Sequence, residues 1–130
     1  MRFLLYIRIA KSRKVEVFIF MELDTYMRKA ARTINPDLDA AEIEMHALHG
    51  MCGEVGEIHS IYQKVYQGHD FSDEHLKKEI GDLMWMIAEL CTARNYSMDD
   101  ICRMNIDKLL ARYPDGFDSE HSLHRKNGDI

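Results

Sequence analysis

The sequence predicts an all-α fold, a four-helix bundle that follows an N-terminal extension. One observation is composition, because 46% hydrophobic and 30% charged residues, with only seven glycines and two prolines, are typical of a compact helical protein. The other is periodicity, since apolar residues recur at three- and four-residue steps in two long segments. In the earlier segment they are Leu48, Met51, Val55, Ile58, Tyr62 and Val65, and in the later one Leu76, Ile80, Leu83, Ile87 and Leu90. Each set predicts a buried stripe, and such stripes must face each other in a bundle.

The boundaries of the first two helices follow from breakers. The first helix is expected from about Leu23 to Ile34, because the next residue precedes Pro36 and the residue before a proline disfavours the α region. The second helix is expected from about Ala40 to Gln67, and Gly68 is suited to end it.

The third and fourth helices are bounded by capping residues. Ser72 or Asp73 can cap the third helix, which is expected to reach about Asn95. Ser97, followed three residues later by an aspartate, resembles a capping box for the fourth helix, which should end near Pro114.

A chain of 130 residues has the size of one domain. We assign residues 21–117 to that domain, residues 118–130 to a C-terminal tail, and residues 1–20 to an extension whose structure the sequence leaves open. The extension is apolar and basic, but Arg8 interrupts its apolar run. It therefore predicts neither a signal peptide nor a membrane span.

Charge and cysteine usage narrow the class of protein. A formal net charge of -5 argues against a broad nucleic-acid-binding surface, which needs an excess of Lys and Arg. The three cysteines, Cys52, Cys91 and Cys102, contain no Cys-x-x-Cys pair, so they predict neither a disulfide framework nor a zinc ribbon. We expect a cytoplasmic protein that binds neither nucleic acid nor membrane.

Four acids lie at the margins of the apolar stripes. Glu54 and Glu57 are three residues apart on the second helix, and Glu79 and Asp82 have the same spacing on the third. Side chains at this spacing project from adjacent turns of one helical face and can share an ion. Burying several like charges without a counter-charge is unfavourable, and carboxylate oxygens suit magnesium or manganese. The pattern therefore predicts a divalent-cation site.

The alternative is that these acids are solvated helix edges paired with lysines such as Lys64, Lys77 or Lys78. A single Glu-x-x-Glu favours that interpretation, whereas two pairs on consecutive core helices favour the metal site. Gly53 and Gly56 add support, because glycines inside a helix suggest close helix approach or clearance for a ligand.

Three runs of sequence together resemble the MazG-like all-α nucleotide pyrophosphohydrolases. They are GMCGEVGEI from Gly50, KKEIGDLMWMIAEL from Lys77 and NIDKLLARYPDGF from Asn105. The resemblance covers about residues 21–117, since Tyr26 and Arg32-Thr33 look like the first helix of small single-domain members. Two departures are visible: Gly53 stands where the family's acid doublet begins with Glu, and Met86 stands where many relatives have an aromatic residue.

The resemblance implies a catalytic domain that cuts nucleoside triphosphates between the α and β phosphates. The products would be a nucleoside monophosphate and pyrophosphate, with Mg²⁺, or Mn²⁺, as cofactor and nucleotide-pool housekeeping as a role. It implies Glu54, Glu57, Glu79 and Asp82 as metal ligands. Glu54 or Glu57 would also accept the proton of the attacking water, and the residues do not choose between them.

Substrate contacts are expected from basic and aromatic side chains. On the fourth helix Asn105, Lys108 and Arg112 share one face, where they could donate to phosphate oxygens or form a solvated edge, and the resemblance favours the former. Lys64 is a further candidate. Trp85 could stack on a base, although core or interface packing is the more common use of such a residue.

The sequence bears on two other functional classes. A di-iron carboxylate bundle needs Glu-x-x-His pairs, which the chain lacks. A non-catalytic helical module that oligomerises and binds a partner remains the alternative. His46 and His49 lie away from the acids and are expected at the surface or in packing. Because short helices leave apolar surface uncovered, we expect a homodimer or homotetramer.

Overall fold

The computed structural model describes residues 21–124. Within that range the fold is helical and contains no strand, which confirms the predicted all-α class. The elements are α1 (Leu23–Ala30), a 3-10 turn (Ala31–Thr33), α2 (Ala40–Tyr66), α3 (Asp73–Arg94), α4 (Met98–Arg112) and α5 (Ser119–Leu123). The predicted N-terminal extension lies outside the described residues. None of the described helices combines the length and apolar character needed to cross a bilayer.

The chain divides into two compact units, the first ending at Met98 and the second beginning at Asp99. The first unit contains α1, the 3-10 turn, α2 and α3. The second contains nearly all of α4, together with α5. The short α5 lies in the segment that the sequence assigned to a tail, and Asp118 caps it by accepting the backbone N–H of His121 at 3.0 Å.

Capping explains where α2 begins and ends. The Asp39 carboxylate accepts the backbone N–H of Glu42, and the Glu42 carboxylate accepts the N–H of Asp39, both at 2.9 Å, which forms a capping box. At the other end Gly68 has a φ of +89°, and the N–H of the following residue donates to the Lys64 carbonyl at 3.1 Å. A left-handed glycine closes a helix in this way, so the predicted break at Gly68 is confirmed.

Helices α2 and α3 form an antiparallel hairpin. Their contacts run in opposite directions along the two helices, from the start of α2 against the end of α3 to the turn between them. The paired residues are Glu44 with Arg94, His46 with Glu89, Gly50 with Met86, and Tyr62 with Phe71. This register places the middle of α2, where Glu54 lies, opposite the first half of α3, which carries Asp82.

Helix α1 packs against the second half of α3. Ala88, Cys91 and Met98 form a buried cluster, and the α1 residues that pack on it are Leu23, Tyr26, Met27 and Ala30. The Trp85 indole N–H donates to the Thr33 hydroxyl at 2.8 Å, which ties the 3-10 turn to α3. The hydroxyl of Ser97, which follows α3, donates to Asp24 of α1 at 2.8 Å.

The predicted stripes are only partly buried. On α2 the buried residues are Ala47 and Ile61, whereas Leu48, Val55, Tyr62 and Val65 are each at least 40% exposed. On α3 the buried set is Met86, Ala88, Glu89 and Cys91, while Ile80 is 45% exposed. The prediction of one fully buried stripe per helix is therefore wrong. The hairpin uses small residues at its contact and leaves large apolar side chains uncovered.

Glu89 is a buried acid that the sequence did not indicate. Its side chain is 3% exposed, and one carboxylate oxygen lies 2.9 Å from His46 Nδ1. The other oxygen, Oε2, is buried without a hydrogen-bond partner. His46 lies at the surface, one of the two positions expected of it, and its contact stabilises a group whose burial is otherwise unfavourable.

Close approach of α2 and α3 occurs at Gly50. A Cβ there would lie 2.1 Å from Met86 Sδ and 2.9 Å from its Cγ, whereas a Cβ at Gly53 or Gly56 meets no atom within 4 Å. The interpretation of Gly53 and Gly56 as points of close helix approach is therefore wrong. Both glycines are exposed with open space beside them, so the alternative, clearance for a ligand, stays a prediction.

Substituting Gly50 tests this contact. Because Met86 is 3% exposed and has little room to move, we expect Gly50→Ala to destabilise the fold by about 1–3 kcal/mol, the usual range for overpacking. Gly53→Ala is the matched control, and it should be neutral or slightly stabilising because alanine is the better helix former. Chemical denaturation of both variants measures the difference; equal stability would contradict the tight contact.

Candidate metal centre

Three acids converge where the middle of α2 faces the first half of α3. One carboxylate oxygen from each of Glu54, Glu79 and Asp82 lies within 4.8 Å of the others. Opposite ligands of a magnesium ion are separated by about 4.2 Å, twice its usual bond length to oxygen of about 2.1 Å. The three oxygens therefore fit a divalent cation with only small side-chain adjustments, and the all-oxygen donor set suits Mg²⁺ or Mn²⁺.

The helices place these side chains by spacing. Glu79 and Asp82 are three residues apart on α3 and project from one face, and Glu54 reaches them from α2 across the hairpin. Glu54 and Glu79 are half-buried, whereas Asp82 is exposed. A site of this kind is open to solvent on one side, as a substrate-binding cation site must be.

Glu57 is the one predicted ligand outside the converging set. It lies one turn beyond Glu54 on α2 and is exposed. Its charge nevertheless acts on the site, because it contributes to the raised pKa of Glu54.

The electrostatic effect of the cluster is seen in the pKa of Glu54. Burial raises the pKa of its carboxyl, and the negative charges of Asp82, Glu79 and Glu57 raise that pKa further, in decreasing order. Tyr26 of α1 responds in the same direction, since its burial and the charge of Asp82 both raise the pKa of its hydroxyl. An excess of negative charge is thus concentrated here, and a cation would relieve it.

The raised pKa of Glu54 predicts how the stability of the metal-free fold depends on pH. A proton binds Glu54 more tightly in the folded chain than in the unfolded one, where the ordinary value is 4.5. The stabilisation from that proton is present below this pH and is lost as pH rises through the folded-state pKa. In the presence of chelator, the melting temperature of Glu54→Gln should therefore be close to that of wild type near pH 4 and higher than that of wild type at pH 7. Thermal melts at both pH values, with the exposed Glu74→Gln as control, test this; a lower melting temperature at pH 7 would contradict it.

The alternative lysine partners are not bound to the site acids. Lys77 pairs with Asp73, and Lys78 pairs with Glu74 at 3.0 Å, all on the exposed side of α3. Lys64 is exposed near the end of α2. Among the described residues, no lysine or arginine forms an ion pair with the three converging acids, which weakens the interpretation of them as salt-bridged helix edges.

Two residues beside the acids were not predicted as part of a site. His75 Nε2 lies 2.8 Å from Glu79 Oε1, and its position four residues earlier on the same helix is a signal that sequence alone could have supplied. Tyr26, whose hydroxyl pKa is raised by burial and by the charge of Asp82, comes from α1, and no spacing rule connects the two.

Apart from Lys64, the residues predicted to contact the substrate lie on α4 and α3. Helix α4 contains Asn105, Lys108 and Arg112, and the Arg112 guanidinium lies 5.9 Å from the centre of the Tyr113 ring within the second unit. Trp85 is half-buried and hydrogen-bonded to Thr33, which is the packing role. Cys52, Cys91 and Cys102, which all lie within residues 21–124, form no disulfide with one another.

Comparison with known proteins agrees with the all-α fold and indicates the family. The family model described as the MazG nucleotide pyrophosphohydrolase domain matches residues 44–117, a span that contains all four candidate acids. The Gene 37 protein of Mycobacterium phage L5 is 30% identical over 101 residues, which cover 71% of this chain and 89% of that protein. No solved structure matches the chain. Since the family model covers more than half of the sequence, the chain belongs to the MazG nucleotide pyrophosphohydrolase family.

Proposed function

We propose that the chain is a magnesium-dependent hydrolase that converts a nucleoside or deoxynucleoside triphosphate and water to the monophosphate and pyrophosphate. The observation that carries this proposal is the convergence of Glu54, Glu79 and Asp82 within 4.8 Å, inside the segment matched by the family model. Hard oxygen donors suit Mg²⁺, with Mn²⁺ as a substitute. A solvated acidic edge would have no need of the half-buried positions of Glu54 and Glu79.

The carboxylates divide the work of the reaction. Glu54, Glu79 and Asp82 would hold the cation, which supplies charge neutralisation for the triphosphate and lowers the pKa of a bound water. Glu57, which lies outside the converging set, is left to accept the water's proton. The water oxygen bonds to the α phosphorus as the bond from that phosphorus to the bridging oxygen breaks, and pyrophosphate leaves with the bond's electron pair.

We assign phosphate recognition to one amide and several basic side chains. Asn105, Lys108 and Arg112 lie at i, i+3 and i+7 of α4, a spacing that presents them on one face, and their donors suit phosphate oxygens. Lys64 of α2 is a further donor to a phosphate. Base stacking by Trp85 would require a ring face that the Thr33 bond and the surrounding packing leave accessible.

Self-association is part of the proposal. The exposed apolar residues of α2 include Leu48, Val55, Tyr62 and Tyr66, which recur at seven and four residues along one side of the helix. Such a surface favours burial against a second copy of the chain, which would give a homodimer or homotetramer. Light scattering at micromolar concentration should give a mass at least twice that of the 15.2 kDa chain, and a monomer would contradict this.

The proposed activity is tested with a panel of nucleoside and deoxynucleoside triphosphates. Pyrophosphate release is measured with Mg²⁺, with Mn²⁺ and with chelator. We expect equal amounts of pyrophosphate and monophosphate from at least one substrate, and none in chelator. Release of orthophosphate instead would place the cut at another bond. Inactivity with both metals on every substrate would favour the non-catalytic oligomerising module, for which the exposed face of α2 is the supporting observation.

A further inference from the structure

The contact between His75 and Glu79 differs from the other ion pairs at the start of α3. Lys77 with Asp73 and Lys78 with Glu74 are pairs in which both side chains are at least 67% exposed, as is typical of solvated helix pairs. In contrast, Glu79 is 14% exposed while His75 is 46% exposed, and their atoms are 2.8 Å apart. The imidazole nitrogen therefore contacts an acid that is largely withdrawn from water, where a polar contact is less screened by solvent.

Within residues 21–124, His75 is the residue that forms an ion pair with Glu79. The Glu79 oxygen nevertheless lies within 4.8 Å of those of Glu54 and Asp82, two groups that repel it at neutral pH. A glutamate side chain has three rotatable bonds and could turn outward to relieve that repulsion. The close contact with His75 opposes this rotation.

His75 is itself fixed by the turn before α3. Its backbone N–H donates to the Ser72 hydroxyl at 3.1 Å, which caps the helix. The preceding Phe71 packs on Tyr62 of α2, with ring centres 5.5 Å apart. These contacts fix the backbone of His75 and the end of the hairpin from which its side chain projects.

We propose that His75 is a positioning residue of the metal centre, which holds the Glu79 carboxylate in the converging set through the 2.8 Å contact between its Nε2 and Oε1. The inference rests on the proposed function, because Glu79 is assigned there as a metal ligand. His75 acts through Glu79 and does not itself touch the cation, since its nitrogen does not belong to the group of ligand atoms that lie within 4.8 Å of one another. Groups that orient metal ligands in this way typically contribute about 10- to 100-fold to metal affinity.

The test measures Mn²⁺ binding to the full chain without substrate. Binding is monitored through the electron paramagnetic resonance signal of free Mn²⁺. We expect the dissociation constant to rise by about tenfold or more in His75→Ala. His75→Gln should restore most of the affinity, because its amide N–H can donate to Glu79. The matched control is His124→Ala, which removes an exposed pair of the same spacing, His124 with Glu120, from a helix that carries none of the candidate ligands. That control should bind Mn²⁺ as wild type does.

Each outcome bears on a different statement. Unchanged Mn²⁺ affinity in His75→Ala, with binding by wild type, would overturn the role of His75 and leave the proposed function intact. Absence of Mn²⁺ binding by wild type would overturn both. A nitrogen coupling in the pulsed resonance spectrum of bound Mn²⁺ that disappears in His75→Ala would show direct coordination, which also overturns the positioning role. If His75→Ala fails to fold, His75→Leu, which keeps the bulk of the side chain without a polar nitrogen, takes its place, and unchanged Mn²⁺ affinity in that variant overturns the role.

Discussion

Asp82→Asn should abolish pyrophosphate release while leaving the helical fold intact. The substitution preserves side-chain shape but removes a negative charge from the converging set, which weakens the hold on the cation. Metal ions supply several kcal/mol of transition-state stabilisation, and each 1.4 kcal/mol corresponds to about tenfold in rate, so a loss of about a hundredfold or more is expected. Because Asp82 is exposed and its charge raises the pKa of Glu54, the metal-free fold should lose no stability.

Two measurements separate this explanation from simple misfolding. Mg²⁺ should raise the melting temperature of wild type, because a ligand that binds only the folded state stabilises it, and this increase should vanish in Asp82→Asn. Glu79→Gln should behave in the same way. Glu74→Gln, an exposed acid of the same helix paired with Lys78, should keep both activity and the Mg²⁺ effect. Full activity in Asp82→Asn or Glu79→Gln would remove that residue from the set of metal ligands.

Glu57→Gln should lower kcat by about a hundredfold or more while Mn²⁺ still binds. Loss of a general base typically reduces rate by about 10²- to 10⁴-fold, and Glu57 lies outside the three converging oxygens. Glu54→Gln provides the contrast, because it should lose both metal binding and activity. Steady-state kinetics combined with Mn²⁺ titration distinguish the two patterns. If Glu57→Gln loses Mn²⁺ affinity in parallel with rate, Glu57 is a ligand and another group accepts the proton.

The helices and the convergence of the acids were within reach of the sequence. Breakers and caps at Pro36, Gly68 and Ser72 are local signals, and the structure places helix ends within a few residues of them. The pairing of Glu79 with Asp82 also carries over, because i, i+3 positions share a face whatever the helix packs against. Local spacing was therefore sufficient for these two acids, whereas the approach of Glu54 and the exclusion of Glu57 depend on the hairpin.

Features that depend on the contact between helices were not within reach. Periodicity identified an apolar side of α2 but could not show that Gly50 and Ala47 approach α3 while Leu48 and Val55 remain exposed. The burial of Glu89 is likewise set by the hairpin register, which brings His46 to it. The predicted first helix ends early, in a 3-10 turn after Ala30, and that turn is held to α3 by the bond between Trp85 and Thr33, two residues 52 positions apart.

That bond gives the protein a built-in optical reporter. Trp85 is the chain's only tryptophan, and it lies three residues after Asp82 on the same helix. Its indole N–H is engaged by a neutral hydroxyl of Thr33, and indole emission depends strongly on its surroundings. An ion held by Asp82, one helical turn away, would change the electric field at this ring, so that ultraviolet-excited emission of the unlabelled chain would follow occupancy in real time.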